Sequence, residues 1–191
     1  MWSFIHYTML LIMPKHPLED RGVDPDFQLE YHAALASGFD ILLYDHDSLV
    51  RGKVVVSPTT NTGPAILRGW MMKPGSYSAL FSHLLARGIR LLTSPAAYTY
   101  CHHLPEWYPA LSSITPKSVW VAGSPPSIDA CIAALGELGS ESAIVKDYVK
   151  SWKHDWHEAC YIHRTADLEA ASRVIGNFIR FQGSDLNERC V

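Results

Sequence analysis

The residues best placed to do chemistry lie in one run, Ala143-Ile144-Val145-Lys146-Asp147-Tyr148-Val149-Lys150-Ser151-Trp152-Lys153-His154. Read as the start of a strand, its side chains alternate between faces. Ile144, Lys146, Tyr148 and Lys150 then share one face, and Val145, Asp147 and Val149 the other. Four residues at roughly 3.3 Å each put Lys146 and Lys150 about 13 Å apart. Two ammonium groups over that span suit a triphosphate, one near the α-phosphate and one near the β or γ. Tyr148 between them offers apolar surface with a polar tip. Lys153 and His154 add donors on the loop that follows. The competing reading is a solvated edge strand whose lysines block edge-to-edge pairing.

The elements that must hold this run follow from hydrophobic pattern and punctuation. Phe4 to Met13 reads as a buried strand, with Pro14 and Pro17 after it. Asp24-Pro25 supplies an N-cap and a first helical proline, for a helix to about Ser37 stopped by Gly38. Strands are expected at Phe39 to Tyr44, Lys53 to Val56, Ala65 to Gly69 and Ile89 to Leu92, with a helix over Pro74 to Arg87 and a helical turn from Pro95. Alternating strands and helices with short loops indicate a parallel sheet covered by helices. Ligands of such sheets gather beyond the C-terminal strand ends, where Arg68-Gly69-Trp70 and Asp45-His46-Asp47 fall. Pro105, Pro109 and Pro116 mark a domain boundary near Leu104. Beyond it come a strand (Ser118 to Val121), a helix (Ile128 to Leu138), the lysine run to Val149, a strand (Glu158 to His163) and an amphipathic helix (Asp167 to Phe181). The chain therefore reads as α/β in two parts, residues 1–103 and 104–191.

Composition sets the outer bounds. Of 191 residues, 48% are hydrophobic and 18% charged, which suits a packed core. A net charge of −3 makes no global field for nucleic acid or an anionic membrane. The apolar opening, Met1 to Met13, is shorter than the roughly 20 residues that span a bilayer. It also lacks the basic start of a signal peptide. Met9 is an alternative start. The four cysteines form no CxxC pair, which favours a reducing cytoplasm. GxSxG, GxxxxGK[ST] and GxGxxG are all absent, removing the hydrolase elbow, the P-loop and the ordinary dinucleotide fingerprint. His154, His157, Cys160 and His163 recur every third residue, as metal ligands could, but a strand over Glu158 to His163 turns Cys160 and His163 to opposite faces. Trp152 and Trp156, four apart beside Lys153, would share a patch if that turn is helical.

The run AIVKDYVKS (143–151) resembles the strand that carries the nucleotide-binding lysine in ATP-grasp proteins, and in particular a bacterial and phage ATP-grasp clade marked by an arginine and two lysines. Four other pieces agree in order: GPAILRGWMMKP (63–74), LPEWYPAL (104–111), TPKSVW (115–120) and KHDWHEACYI (153–162). The resemblance runs from about Met9 to the C-terminus. It implies a Rossmann-like domain preceding the first part of an α+β ATP-grasp module. It implies that Lys146 contacts the ATP phosphates, that Lys150 is the second lysine near the β- and γ-phosphates, and that Arg68 faces a substrate carboxylate or the transferred phosphoryl group. A planar guanidinium binds such oxyanions in bidentate fashion. Tyr148 and Lys153 complete the expected nucleotide contacts.

The superfamily's chemistry is ATP-dependent joining of a carboxylate to an amine through an acyl phosphate, which asks the protein for positioning and charge stabilisation. The implied ligands are ATP with Mg²⁺ and a carboxylate-bearing small molecule or peptide. Two departures stand out. The segment Ser151 to His154 is free of glycine, where many relatives have a glycine-rich loop. The adenine hinge and the Mg²⁺ ligands are expected beyond Val191, so the chain reads as truncated and inactive by itself. The alternative is a non-catalytic nucleotide-binding or interaction module of ATP-grasp descent, whose exposed apolar surface would serve a partner or a homodimer.

Overall fold

The computed structural model describes residues 9–19, 21–123, 125–147, 149, 152–183, 186 and 189–190. The chain forms two compact units, Met1–Thr99 and Tyr100–Val191. No helix among the described residues is long and apolar enough to cross a membrane.

The first unit is built on a parallel four-stranded sheet. Its strands are β1 (Leu10–Pro14), β2 (Asp40–Tyr44), β3 (Gly63–Leu67) and β4 (Ile89–Leu91), in the order β2-β1-β3-β4. β1 pairs with β2 from Leu10↔Asp40 to Pro14↔Tyr44, and with β3 from Leu10↔Ala65 to Ile12↔Leu67. The two-residue alternation of β1 fixes its faces. Leu10 and Ile12 enter one core with Leu42, Ala65, Leu80 and Leu84, while Met13 packs with Val23 and Phe27 in another. Burying each large aliphatic chain contributes about 1.5–3 kcal/mol.

Helices α1 (Gln28–Ala36) and α3 (Pro74–Leu85) occupy the expected connections. Asp24 accepts from the Asp26 amide at 3.0 Å, but Pro25–Phe27 tightens into a 3₁₀ turn before α1 begins. Gly38 and Gly88, at φ 80° and 76°, take the left-handed conformation that follows each helix.

Several expectations are corrected. β1 is described from Leu10; Phe4 to Thr8 lie outside the described residues. Asp45-His46-Asp47 is more than a strand-ending turn: Asp45 caps a short helix, α2 (His46–Val50), accepting from the Ser48 amide at 2.8 Å. Lys53 to Val56 makes one antiparallel bridge, Tyr44↔Val56, in place of a strand. The turn from Pro95 grows into a full helix, α4 (Pro95–His102).

The second unit is a smaller α+β arrangement. The segment after Leu104 is the helix α5 (Leu104–Leu111). Pro105 stands in its first turn, where no intrahelical N–H is needed. Pro109 lies inside it and forgoes one bond. Of Ser118 to Val121 only Val121 is in the strand β5 (Val121–Ala122). Helix α6 (Ile128–Leu138) has the expected bounds, because Ser127 caps the Ala130 amide at 3.2 Å and Gly139 ends it at φ 69°.

Strand β6 (Ala143–Ile144) runs antiparallel to β7 (Tyr161–Ile162), and the Val145 amide prolongs the ladder to the Cys160 carbonyl at 2.7 Å. Glu158 belongs to a one-turn helix, α7 (Trp156–Ala159), so the expected strand from Glu158 shrinks to β7. Asp167 caps α8 (Leu168–Gln182), whose Ala171, Val174, Ile175 and Phe178 recur at helical spacing and are buried. β8 (Arg189–Cys190) pairs antiparallel with β5.

One glycine is fixed by its neighbour rather than by φ. A Cβ on Gly69 would overlap the Tyr44 hydroxyl and stand 3.2 Å from the Tyr44 Cε1 and Cζ. Tyr44 is fully buried, so its ring has little room to swing. Gly69→Ala is expected to lower stability by about 1–3 kcal/mol, the usual cost of overpacking. Urea denaturation followed by tryptophan fluorescence measures this, and an unchanged midpoint would mean the ring moves aside.

Candidate functional site

The lysine run leaves the sheet after two residues, yet its alternation persists. Ala143, Val145 and Asp147 are buried, Ile144 is 51% exposed and Lys146 half-buried. Val145 joins the core with Phe178 and Ile175 of α8. Asp147 is buried too, accepting from the Val149 amide at 2.7 Å and from Gln182 Nε2 at 3.3 Å. These bonds anchor the run from below, so the other parity, Ile144 and Lys146, faces outward. Tyr161 stands opposite Ile144 across the ladder and shares its face. Trp156 stacks on Tyr161 at 5.6 Å and 11°.

A cavity of 560 Å³ opens in this unit. It is lined by the consecutive stretches 115–121 and 142–146, by Leu135 and its neighbours on α6, and by Tyr161. Its lining is mainly apolar, and its charged members, Lys117 and Lys146, are both cations. Lys117 donates to the Glu137 carbonyl at 2.6 Å, which holds its ammonium in place.

Lys146 is tuned by its surroundings. Partial desolvation lowers its pKa below the ordinary 10.5, and the positive charge of Lys153 adds to that; Asp147 and Cys160 act in the opposite direction. Lys153, on the 3₁₀ turn Lys153–Asp155, is thus brought within electrostatic reach of Lys146. Two cations that repel one another beside an apolar cavity make a receptive place for an anion. Tyr148 and Lys150, the other members of the expected set, lie outside the described residues.

Residues 134–191 match an ATP-grasp domain family, the third in the clade named for one arginine and two lysines. The matched segment contains β6, Lys146, Lys153 and α8, the part of the chain on which the resemblance rests most heavily. The fold is that of ATP-grasp proteins. The crystal structure of an ATP-grasp RimK-domain protein from Sphaerobacter thermophilus aligns over 96% of this chain and 62% of its own, with a TM-score of 0.55 at 17% identity. The crystal structure of D-cycloserine synthetase DcsG aligns over 96% of this chain and 57% of its own, with a TM-score of 0.55 at 13% identity. The chain thus spans 62% and 57% of the length of these two ATP-grasp-fold structures. No curated protein matches the chain.

Arg68 lies in the first unit, directly after β3, as a strand-end residue should. Its Nε and Nη2 fork onto the two Glu30 carboxylate oxygens at 2.6 and 2.8 Å, and its guanidinium lies 5.2 Å from the centre of the Phe27 ring. Glu30's hydrogen bond raises the Arg68 pKa further above its already high value. Beside it Trp70 Nε1 donates to Asp24 at 2.9 Å. The arginine is already bound to a carboxylate, in the bidentate geometry it would use on a substrate.

Trp152 and Trp156 part company. Trp152 donates its indole N–H to Asp155 and packs against Phe181, whereas Trp156 goes to Tyr161. The outward face of Ile144, Tyr161 and Trp156, and Lys117 as a second cation, are features that the residue pattern did not single out. The alternating run hinted at Ile144; Tyr161 and Lys117 depend on strand register and on the path of the 115–121 segment.

Proposed function

We propose that this chain binds ATP in its second unit and belongs to an ATP-dependent carboxylate–amine ligase working through an acyl phosphate. The observation that carries the reading is the apolar 560 Å³ cavity whose charged lining residues are two lysines, one of them Lys146. Apolar lining with Tyr161 suits a purine, and a cation at the rim suits its phosphates. Lys146 would hold the phosphates, with Lys153 and the expected Lys150 extending the positive surface along them. Ligation needs charge stabilisation more than a protein nucleophile, and lysines fixed by buried neighbours supply that without reorganising. Arg68 would exchange Glu30 for the substrate carboxylate. Mg²⁺ requires oxygen ligands, and the described residues bring together no group of three or more histidine, cysteine, aspartate or glutamate side chains that could hold a metal. No step is therefore assigned to the metal. The first unit would serve as the Rossmann-like domain preceding the ATP-grasp module, and the protein would work in the cytoplasm.

The test is titration of Mg-ATP into the purified chain, followed by heat and by tryptophan fluorescence. Saturable one-to-one binding, competed by ADP, supports the reading; no binding by the folded chain overturns it for this chain.

The lowered pKa of Lys146 predicts a pH dependence. Phosphate binding needs the ammonium, and the free chain loses that proton at a pH below 10.5. ATP affinity should therefore fall as pH rises, starting below the ordinary lysine range, and Lys146→Arg should remove this alkaline limb. Stability has the opposite sign. The unfolded chain holds the proton more tightly, so raising pH through the folded pKa relieves the cost of the half-buried charge. Affinity measured across alkaline pH, for both proteins, checks the first point; an identical limb in Lys146→Arg would assign it elsewhere.

A further inference from the structure

The four-member set His154, His157, Cys160 and His163 breaks apart in the structure, but two of its members meet. His157 Nδ1 and His163 Nε2 are 3.2 Å apart, with ring planes 4° from parallel and centroids 5.3 Å apart. Cys160 is fully buried and turns its thiol to the Val145 carbonyl, so it takes no part. Both histidines are exposed.

Their positions are well anchored. His157 sits on α7, whose Trp156 carbonyl accepts from the Cys160 amide, and His163 directly follows Ile162, which is 2% exposed and paired with Ala143. The Tyr161 ring stands edge-on to both imidazoles, at 72° to His163 and 73° to His157. The pair is thus held by a helix, a strand and an aromatic wedge.

We propose that His157 and His163 form a two-histidine site for a late first-row divalent metal ion such as Zn²⁺ or Cu²⁺. Two metal–nitrogen bonds of about 2.0–2.1 Å at a tetrahedral angle place the nitrogens about 3.3–3.4 Å apart. The observed 3.2 Å already matches that bite. Without metal, one ring must donate to the other, since two lone pairs facing at this distance repel. On binding, the donor ring carries its proton on its other nitrogen, leaving His157 Nδ1 and His163 Nε2 both as ligands. A neutral pair makes this change without net proton release, and water fills the remaining positions. Imidazole donors select Zn²⁺, Ni²⁺ and Cu²⁺ over Mg²⁺, so the site is chemically separate from any magnesium that accompanies ATP. It would clip α7 to the end of β7 across six residues.

The test uses the full chain without an affinity tag and Zn²⁺ as the probe, titrated calorimetrically with excess Mg²⁺ present. One zinc per chain is expected, with Cu²⁺ binding more tightly. His157→Gln and His163→Gln should each weaken binding by at least about tenfold, in line with losses at disturbed metal sites. Cys101→Ser and His32→Gln, both at exposed positions, should leave it unchanged. Circular dichroism establishes that the variants fold. Absence of zinc binding, binding indifferent to both pair variants, or binding lost only with Cys101 would overturn the proposal.

Discussion

Lys146→Ala is expected to weaken Mg-ATP binding by about ten- to a hundredfold. A hydrogen bond to a charged group is worth about 1.5–3 kcal/mol, and each 1.4 kcal/mol is a factor of ten. The loss should sit at the upper end because the ammonium works beside apolar lining, where screening by water is reduced. Lys153 tempers it, since its charge reaches the same place. The double variant Lys146→Ala, Lys153→Ala should therefore bind more weakly than either single one. Folding should not suffer: removing a half-buried, desolvated charge leaves the core below it, Val145 and Asp147, in place. Calorimetry on the three variants decides the matter. Unchanged affinity in Lys146→Ala, with wild-type binding intact, would move the phosphates to another part of the chain.

Phe178→Ala should be the most damaging substitution to the second unit. The ring is fully buried at the centre of the cluster formed by Leu135, Val145, Ile162, Val174 and Ile175. Truncating a buried phenylalanine costs about 3–5 kcal/mol, by lost transfer energy and the cavity left behind. Domains have only about 5–15 kcal/mol in hand. The same cluster holds Val145, next to Lys146, so nucleotide binding should be lost with the fold. Urea denaturation monitored by the fluorescence of Trp152, which packs against Phe181, reports the change. A loss under about 1 kcal/mol would show that the neighbours collapse into the space.

The contrast between these two positions shows what a sequence reader can and cannot see. Phe178 lies on a long helix with an aspartate cap and apolar residues at helical spacing, so α8 could be placed almost to the residue. The same holds for α6, bracketed by Ser127 and Gly139. The parallel strands of the first unit were legible because each is a short apolar run closed by turn residues. The strands of the second unit were not: β5, β6 and β7 are two residues each, too short for alternation to set their bounds. Helix α5 hid behind Pro105 and Pro109, which local rules read as punctuation, although the first turn tolerates a proline. Lys146 was legible from parity alone. Its apolar companion Tyr161 was not, because it reaches the same face only through pairing with a strand seventeen residues away. The histidine pair depends on that register too, with α7 in place of the strand's first residues.

The strand order of the first unit also governs how the chain can assemble. β1 is central, but one neighbour begins at Asp40 and the other at Gly63, so Leu10 must wait for Asp40 on one side and Ala65 on the other. During synthesis this strand leaves the ribosome well before either edge it needs. Pairings so distant along the chain slow the search for the native state and lengthen the exposure of an apolar strand. The prolines at its C-terminal side, Pro14 and Pro17, keep that waiting segment from extending as a longer adhesive edge. A protein organised in this way depends on how quickly residues 63–67 arrive to shield its first strand.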